Sequence, residues 1–405
     1  MLGKGASALL NRSDYMHKNI RLLKWLNFFW NFRLYAPIII IYFAQITGSF
    51  ASALLIFSIF SIAISVFEIP TGIYSDMIGR KKTLVLGSLV SVISLTCYAL
   101  GGSFLILALG AIFAGLQESF FSGNNDALLY DSLGETKEQN SFGEHTGKIN
   151  SVLQLAIGTS ALIGGLIAGI SFKYVLWLSV IPQVIALIMS FWIIEPKTHF
   201  EKMTGNIFAN LKEAFVKFQT NFKLRNLSLS SILSFGMGEV ANQFMPAFIN
   251  TVWPVWALGI SKGIAKTCSF FSSRSAGKIL KRFSSFRVLI VGTLASIGTT
   301  ILAVVFVGVW SPLLIALTSI PYAITAVALS SLLQAEFSDQ QRATMGSINS
   351  LFGNIFFAIF AYGFGLVADH FGKTEPIVIT EILTLSVVYI YWKLFKNHKK
   401  ELLAV

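Results

Sequence analysis

Charge is what this 405-residue chain has least of. Asp, Glu, Lys and Arg make up 12% of it against 54% hydrophobic residues, too little polar surface for a water-soluble globule, so the composition reads as an integral membrane protein in a lipid bilayer. Acids are scarcer than bases, 19 against 31, for a net charge of +12. A nucleic-acid partner is not expected from that excess, because the cations cluster in short loops between apolar runs, where positive-inside orientation accounts for them. Only two cysteines are present, Cys97 and Cys268, both inside apolar runs. They exclude a disulfide framework and a thiolate metal site. The five histidines fall in polar segments or near span ends, and no Ser/His/Asp or Cys/His arrangement, metal-ligand cluster or phosphate-cradling glycine loop accompanies them. Neither an enzyme, a cofactor, a metal nor a self-contained ATP-driven pump is expected. Residues 1–21 are mixed polar and basic, and the first apolar run is too long and lacks a small-residue cleavage site, so no cleavable signal is expected.

What the chain has in abundance is apolar length. Runs of about 20 mainly apolar residues read as twelve spanning helices: 22–46, 51–74, 83–101, 104–130, 148–171, 174–194, 226–250, 255–278, 286–307, 311–335, 345–367 and 376–396. An even number puts both termini on one side. Lys4 to Lys24, Arg80 to Lys82, the six cations from Lys197 to Arg225, Lys278 to Arg287 and Lys393 to Lys400 all fall there, which marks it as the cytoplasm. The opposite loops carry little beyond Lys173 and Lys373.

An internal repeat divides the chain. Gly72, Gly87, Asp131 and Lys137 recur 205 residues later as Gly277, Gly292, Glu336 and Arg342, and Gly147-Lys-Ile-Asn-Ser151 matches Gly346-Ser-Ile-Asn-Ser350. The expected domains are a six-helix bundle over 1–194, a cytoplasmic linker over 195–225 and a second six-helix bundle over 226–405. Within the linker Phe208, Leu211, Phe215, Phe218 and Phe222 fall at helical spacing, as in an interfacial helix.

Between the second and third spans lies Glu68-Ile-Pro-Thr-Gly-Ile-Tyr-Ser-Asp-Met-Ile-Gly-Arg-Lys-Lys-Thr83. Gly72, Asp76, Gly79 and the basic trio Arg80, Lys81 and Lys82 reproduce the pattern G-x3-D-x2-G-R-K/R-K/R. In that pattern, span placement and parallel repeat, the chain resembles the major facilitator superfamily. The resemblance implies an all-α membrane fold of twelve helices in two parallel six-helix repeats, with a cavity lined by helices 1, 4, 7 and 10. It also implies a gating role for the loop, with Asp76 contacting the start of the eleventh helix, Gly72 allowing close helix approach, and Asp131 partnering Arg80. In the second half Lys281 and Ser284 stand where the aspartate and second glycine would be, so that loop is expected to act as a basic anchor.

Ionisable residues inside spans cost about 2.5–3.5 kcal/mol on the insertion scale and are functional candidates by default. Arg33 lies in span 1, four residues before Pro37. Glu118, Ser122, Asn125 and Asp126 form one polar stripe on span 4, with Asp126 read as structural. Span 7 carries Glu239, Asn242 and Gln243 ahead of Pro246, Asn242 being the repeat counterpart of Arg33, and span 8 carries Lys262, Lys266 and Arg274. Arg33, Glu118, Glu239, Asn242, Gln243, Lys262 and Lys266 are the candidates for substrate binding or proton coupling. Glu118 and Glu239 are the proton-binding candidates, since a carboxyl out of water favours its neutral form. Fixed bridges, Arg33 to Glu118 and Glu239 to Lys262 or Lys266, are the alternative.

The resemblance has gaps. Related drug–proton antiporters carry an arginine on helix 4 that is absent around Gly110 and Gly115, and Gly158, Gly164, Gly165 and Gly169 keep their helix 5 glycine spacing without the terminal proline. The expected function is secondary active transport of a small organic molecule by alternating access, as proton-coupled efflux of an amphipathic compound. An organic-anion or siderophore-like substrate is one alternative, and a non-transporting membrane sensor or scaffold is another. The expected setting is the bacterial inner membrane, as a monomer with both termini cytoplasmic.

Overall fold

A chain with no water around its backbone must satisfy its N–H and C=O groups within each segment, so long apolar runs fold as helices. In the computed structural model, which describes residues 2–196, 216, 218–336 and 342–403, every regular element is helical. The helices are α1 (Leu2–Asn31), α2 (Ile39–Thr47), α3 (Phe50–Ile78), α4 (Arg80–Leu100), α5 (Phe104–Phe121), α6 (Asn124–Glu135), α7 (Phe142–Ala168) and α8 (Phe172–Phe191). They continue as α9 (Phe222–Val252), α10 (Leu258–Arg282), α11 (Ser285–Val305), α12 (Ser311–Leu317), α13 (Ser319–Glu336), α14 (Arg342–Phe371) and α15 (Glu375–Leu403).

The helices gather into two compact units. One comprises Met1–Pro37 with Ile59–Thr204, the other Ile38–Ser58 with Gly205–Val405. The first packs around Leu23, Leu26, Trp30, Leu84, Leu128 and Leu133, all buried. The second packs around Leu224, Leu227, Leu289, Val387 and Tyr391. Helix α3 contributes to both, with its first turns in the second unit and the remainder in the first. Most of the expected linker, with Phe208, Leu211 and Phe215, lies outside the described residues.

Nine helical runs among the described residues are long and apolar enough to cross a membrane. The three expected spans outside that set are the first, seventh and eighth. These spans carry Arg33, Glu239, and Lys262 with Lys266. Polar residues in the seventh and eighth dilute the apolar run, and the first is interrupted, so the polar content that sets these spans apart coincides with the candidate sites.

Three spans are not the continuous helices expected. Span 1 is non-helical over 32–38 between α1 and α2, span 4 is cut at Ser122 and Gly123 between α5 and α6, and span 10 is jogged at Thr318 between α12 and α13. Proline bears on the first and the third, where Pro321 has no N–H to give the Leu317 carbonyl. Pro37 has no N–H to give the Arg33 carbonyl, which accepts instead from the Ala36 N–H at 3.2 Å. At the second break Gly123 takes φ +69°, where a side chain would be strained.

Candidate functional site

Breaking a helix exposes the carbonyls of its last turn, which must find donors in the protein interior. At the end of α1 they do. The buried Gln183 of α8, held by the Ser91 hydroxyl at 2.7 Å, donates from Nε2 to the Phe29 and Trp30 carbonyls at 3.2 and 3.4 Å, and Arg33 Nε donates to the Trp30 carbonyl at 3.2 Å. The peptide at Leu34 runs against Gly164 of α7 so closely that any Cβ there would overlap the Leu34 carbonyl. Gly164 is therefore the room into which the unwound segment fits. It anchors Arg33 just past a helix C-terminus, which favours a cation.

Arg33 Nη2 lies 3.5 Å from Glu118 Oε2, with the two side chains 33% and 47% exposed. The pair is loose, with both side chains only partly buried within the protein. Tyr35 and Tyr98 stand within electrostatic reach of Arg33, their rings 6.4 Å apart. Neither tyrosine was singled out from the sequence, although Tyr35 sits two residues from Arg33.

The stripe expected along span 4 is divided. Glu118 belongs to the last turn of α5, its carbonyl accepting from the Ser122 N–H at 2.8 Å, whereas Asn125 and Asp126 open α6 beyond the break. The spacing of four and seven residues placed them on one face only for an unbroken helix. Trp30, at the end of α1, stacks on Phe121, at the end of α5, with centroids 3.8 Å apart. The two interruptions are thus packed together.

In the second unit, Gln243 Nε2 donates to Glu239 Oε1 at 2.6 Å, and Asn242 also hydrogen-bonds that carboxylate. Lys262 of α10 is within electrostatic reach of both Glu239 and Lys266. Glu239, Asn242, Gln243 and Lys262 thus form one cluster, which Lys266 joins through Lys262. Arg274 is exposed further along α10. The sequence reading overlooked a further carboxylate: Glu381 of α15, partly buried, accepts from Thr300.

The signature loop is a network inside the first unit. Arg80 pairs with Asp76 at 2.9 Å and with Asp131 at 3.6 Å, and its Nη1 donates to Ser75 Oγ at 3.0 Å. Ser75 donates to Asn124 Oδ1 at 2.7 Å, and Asn124 Nδ2 donates to the Arg80 carbonyl at 3.1 Å. Glu68 is partly buried in α3. Gly72 does not serve the expected close approach in this conformation, since a Cβ there would meet open space.

Glu195 completes this network and was read only as the start of the linker. Its two oxygens accept from the Arg80 and Lys81 N–H groups at 2.7 and 2.8 Å, capping α4, whose N-cap Gly79 has no side chain to do so. Glu195→Ala is expected to lower the melting temperature of detergent-purified protein at a cost of about 1–2 kcal/mol, with Glu195→Gln falling between. Identical melting of the Ala variant and the parent would show that the cap carries no stability.

A second distant cap lies in the second unit. Asp369 of α14 accepts from the Phe50 and Ala51 N–H groups at 2.7 and 2.9 Å, while Ser49 takes the Ser52 N–H on Oγ at 3.0 Å and the Ala53 N–H on its carbonyl at 3.1 Å. All four open donors of α3 are thereby satisfied. Gly365, one turn before Asp369, lets the α3 backbone at Ala51 approach closer than a Cβ would allow.

The model of the Major Facilitator Superfamily matches residues 26–361. An uncharacterized MFS-type transporter of Methanocaldococcus jannaschii is 24% identical over 365 residues, covering 87% of this chain and 91% of the relative. The quinolone resistance protein NorA of Staphylococcus aureus is 23% identical over 287 residues, 70% of this chain and 72% of NorA. Among solved structures, a mutant form of the nucleoside transporter NupG superposes with a TM-score of 0.80 at 15% identity, covering 93% of this chain and all of that one. A bacterial homolog of the human lysosomal transporter Spinster gives 0.74 at 17% identity, covering 96% of this chain and 98% of its own. The structural likenesses show the fold and the family model spans most of the sequence, so this multi-pass membrane chain belongs to the major facilitator superfamily.

Proposed function

We propose that the chain is a secondary active transporter that exports a small amphipathic molecule by alternating access, coupled to protons. The observation that carries the reading is the placement of ionisable groups. The spans that depart from the apolar pattern hold Arg33, Glu239, Lys262 and Lys266, and Arg33 is answered by Glu118 at a loose 3.5 Å with both side chains partly open. A loose, open pair suits groups that exchange a proton or a ligand better than a purely structural bridge. The similarity to NorA, a quinolone resistance protein, supports export of an organic compound. The signature-loop residues, Glu68, Gly72, Asp76, Gly79, Arg80, Lys81 and Asp131, are assigned to gating in this reading. The basic loops support a bacterial cytoplasmic membrane with both termini inside, and the working unit is a monomer.

Glu239 is the residue most suited to carry the coupling proton, because Gln243 and Asn242 can hydrogen-bond its charged or neutral form. Glu239→Gln is expected to abolish the pH dependence of dye efflux from proteoliposomes under an imposed proton gradient. Unchanged pH dependence removes Glu239 from coupling. A second reading, an organic-anion substrate, is favoured by Lys262 and Lys266 of α10, two ammonium groups within electrostatic reach of each other with Glu239 the carboxylate that reaches Lys262. Ligand-dependent melting separates the two: stabilisation by lipophilic cations that Glu118→Gln or Glu239→Gln removes supports the first, and stabilisation by organic anions that Arg33→Gln removes supports the second.

A further inference from the structure

Beside the junction of the two helix breaks lies a polar cavity of about 180 Å³, lined by Asn27, Phe121, Gly123, Asn125, Asp126, Thr146, Ile149 and Asn150. Its walls come from α1, from the cut between α5 and α6, and from α7. Two side-chain atoms in this wall, Asn125 Oδ1 and Thr146 Oγ1, are shielded from solvent and have no hydrogen-bond partner among the described residues. Thr146 is unusual in this. Threonines elsewhere in these helices donate back to their own turn, as Thr96 does to Val92, Thr159 to Leu155 and Thr384 to Thr380, at 2.7 Å each. Asn27, by contrast, spends its Nδ2 on the Leu23 carbonyl at 2.9 Å, which leaves its Oδ1 for other contacts.

A buried oxygen without a partner costs about 1–3 kcal/mol, so two in one cavity call for an occupant that supplies positive charge or donors. The lining fixes its chemistry. Among the described residues the one ionisable group in the lining is the Asp126 carboxylate, with no cationic side chain beside it, which disfavours an anion. Asp126 lies in the first turn of α6 and already answers the positive end of that helix, while the end of α5 brings its negative pole to the same space. Neutral amide, hydroxyl and carboxylate oxygens are hard donors, suited to alkali cations or an ammonium group, and a single carboxylate is too few for a typical calcium site.

We propose that this cavity binds a small monovalent cation on Asp126, Asn125 Oδ1 and Thr146 Oγ1, with Asn27 and Asn150 completing the polar wall. The site ties α1, α6 and α7 together next to both helix breaks. Asp126, read from the sequence as structural, becomes its charged ligand. The proposal concerns binding and stands whether or not protons drive transport.

The test is the melting temperature of the purified full-length protein at constant ionic strength, with choline chloride replaced stepwise by sodium, lithium or methylammonium chloride. A saturable rise of about 4 °C or more is expected. Asp126→Asn should abolish it, and Asn125→Leu or Thr146→Val should shift the half-saturating concentration upward at least tenfold. Thr146→Val removes a buried hydroxyl that has no partner, so it should fold at least as well as the parent and keep the test open should Asp126→Asn misfold. A response to sodium or lithium identifies an ion taken from the medium; a response confined to methylammonium identifies the ammonium group of an organic ligand. No salt-specific rise in the parent, as water alone in the cavity would give, overturns the proposal. So does a rise that survives unchanged in Asp126→Asn and Thr146→Val.

Discussion

Replacing Gly164 by valine is expected to destabilise the protein by about 3 kcal/mol or more, a fall on the order of 6–12 °C in melting temperature for a unit of this size. The new Cβ would fall on the carbonyl of Leu34, a backbone atom that cannot rotate away. Yielding would have to come from the unwound segment itself. That segment is fixed at its start by Gln183 and Arg33 on the α1 carbonyls and further along by the Ala36 N–H on the Arg33 carbonyl. Moving Leu34 therefore also displaces Arg33 from Glu118, and the variant should lose ligand-dependent stabilisation along with melting temperature. Gly158→Ala is the control. It lies on the same helix, where a Cβ meets nothing within 4 Å, and removing a helical glycine there should be neutral or slightly stabilising. Equal melting of Gly164→Val and the parent would mean that α7 does not confine the break.

The contrast between Pro37 and Pro246 shows what a sequence can and cannot disclose about such a site. Each follows its repeat counterpart, Arg33 or Asn242, by four residues, and each removes the same N–H. Yet α9 runs unbroken from Phe222 to Val252 through Pro246, while span 1 opens over seven residues. Proline allows an interruption; partners that satisfy the freed carbonyls decide whether one forms. At span 1 the distant partner is Gln183, with Gly164 making the room, some 130 to 150 positions away in sequence. Gln183 was legible in principle as a lone amide in an apolar helix, but nothing local said which carbonyls it serves. What periodicity and composition did disclose is the helical class and the polar clustering on spans 1, 4, 7 and 8, because those rest on charge scarcity; the Arg33–Glu118 pair stood only as the fixed-bridge alternative, and the Arg80–Asp131 pair came with the loop's resemblance to its family. The division of the Glu118–Asp126 stripe escaped notice because an apolar run with one glycine looks the same whether or not that glycine turns the chain.

Asp369→Leu is expected to release the N-terminal end of α3 from α14. The carboxylate accepts two backbone N–H groups at 2.7 and 2.9 Å, and a charged acceptor in a hydrogen bond contributes roughly 1.5–3 kcal/mol. It also meets the positive end of α3. Leucine is similar in volume but offers no acceptor, leaving the Phe50 and Ala51 donors with nothing on α14 to hold them. Parting of α3 from α14 at this end must break the contact, so its strength sets the balance between the docked and the released end of α3. A loss of about 1.5 kcal/mol or more shifts such a balance at least tenfold. The measurement is the rate at which a membrane-impermeant thiol reagent labels Ala53→Cys, a position fully buried beside the contact, in a background where Cys97 and Cys268 are serine. Labelling should accelerate about tenfold in Asp369→Leu and less in Asp369→Asn, which keeps one acceptor but loses the charge. Unaltered labelling with a lowered melting temperature would make Asp369 a cap for α3 alone. Faster labelling at undiminished melting temperature would mean that the carboxylate acts on the balance of states and adds little to the stability of the fold.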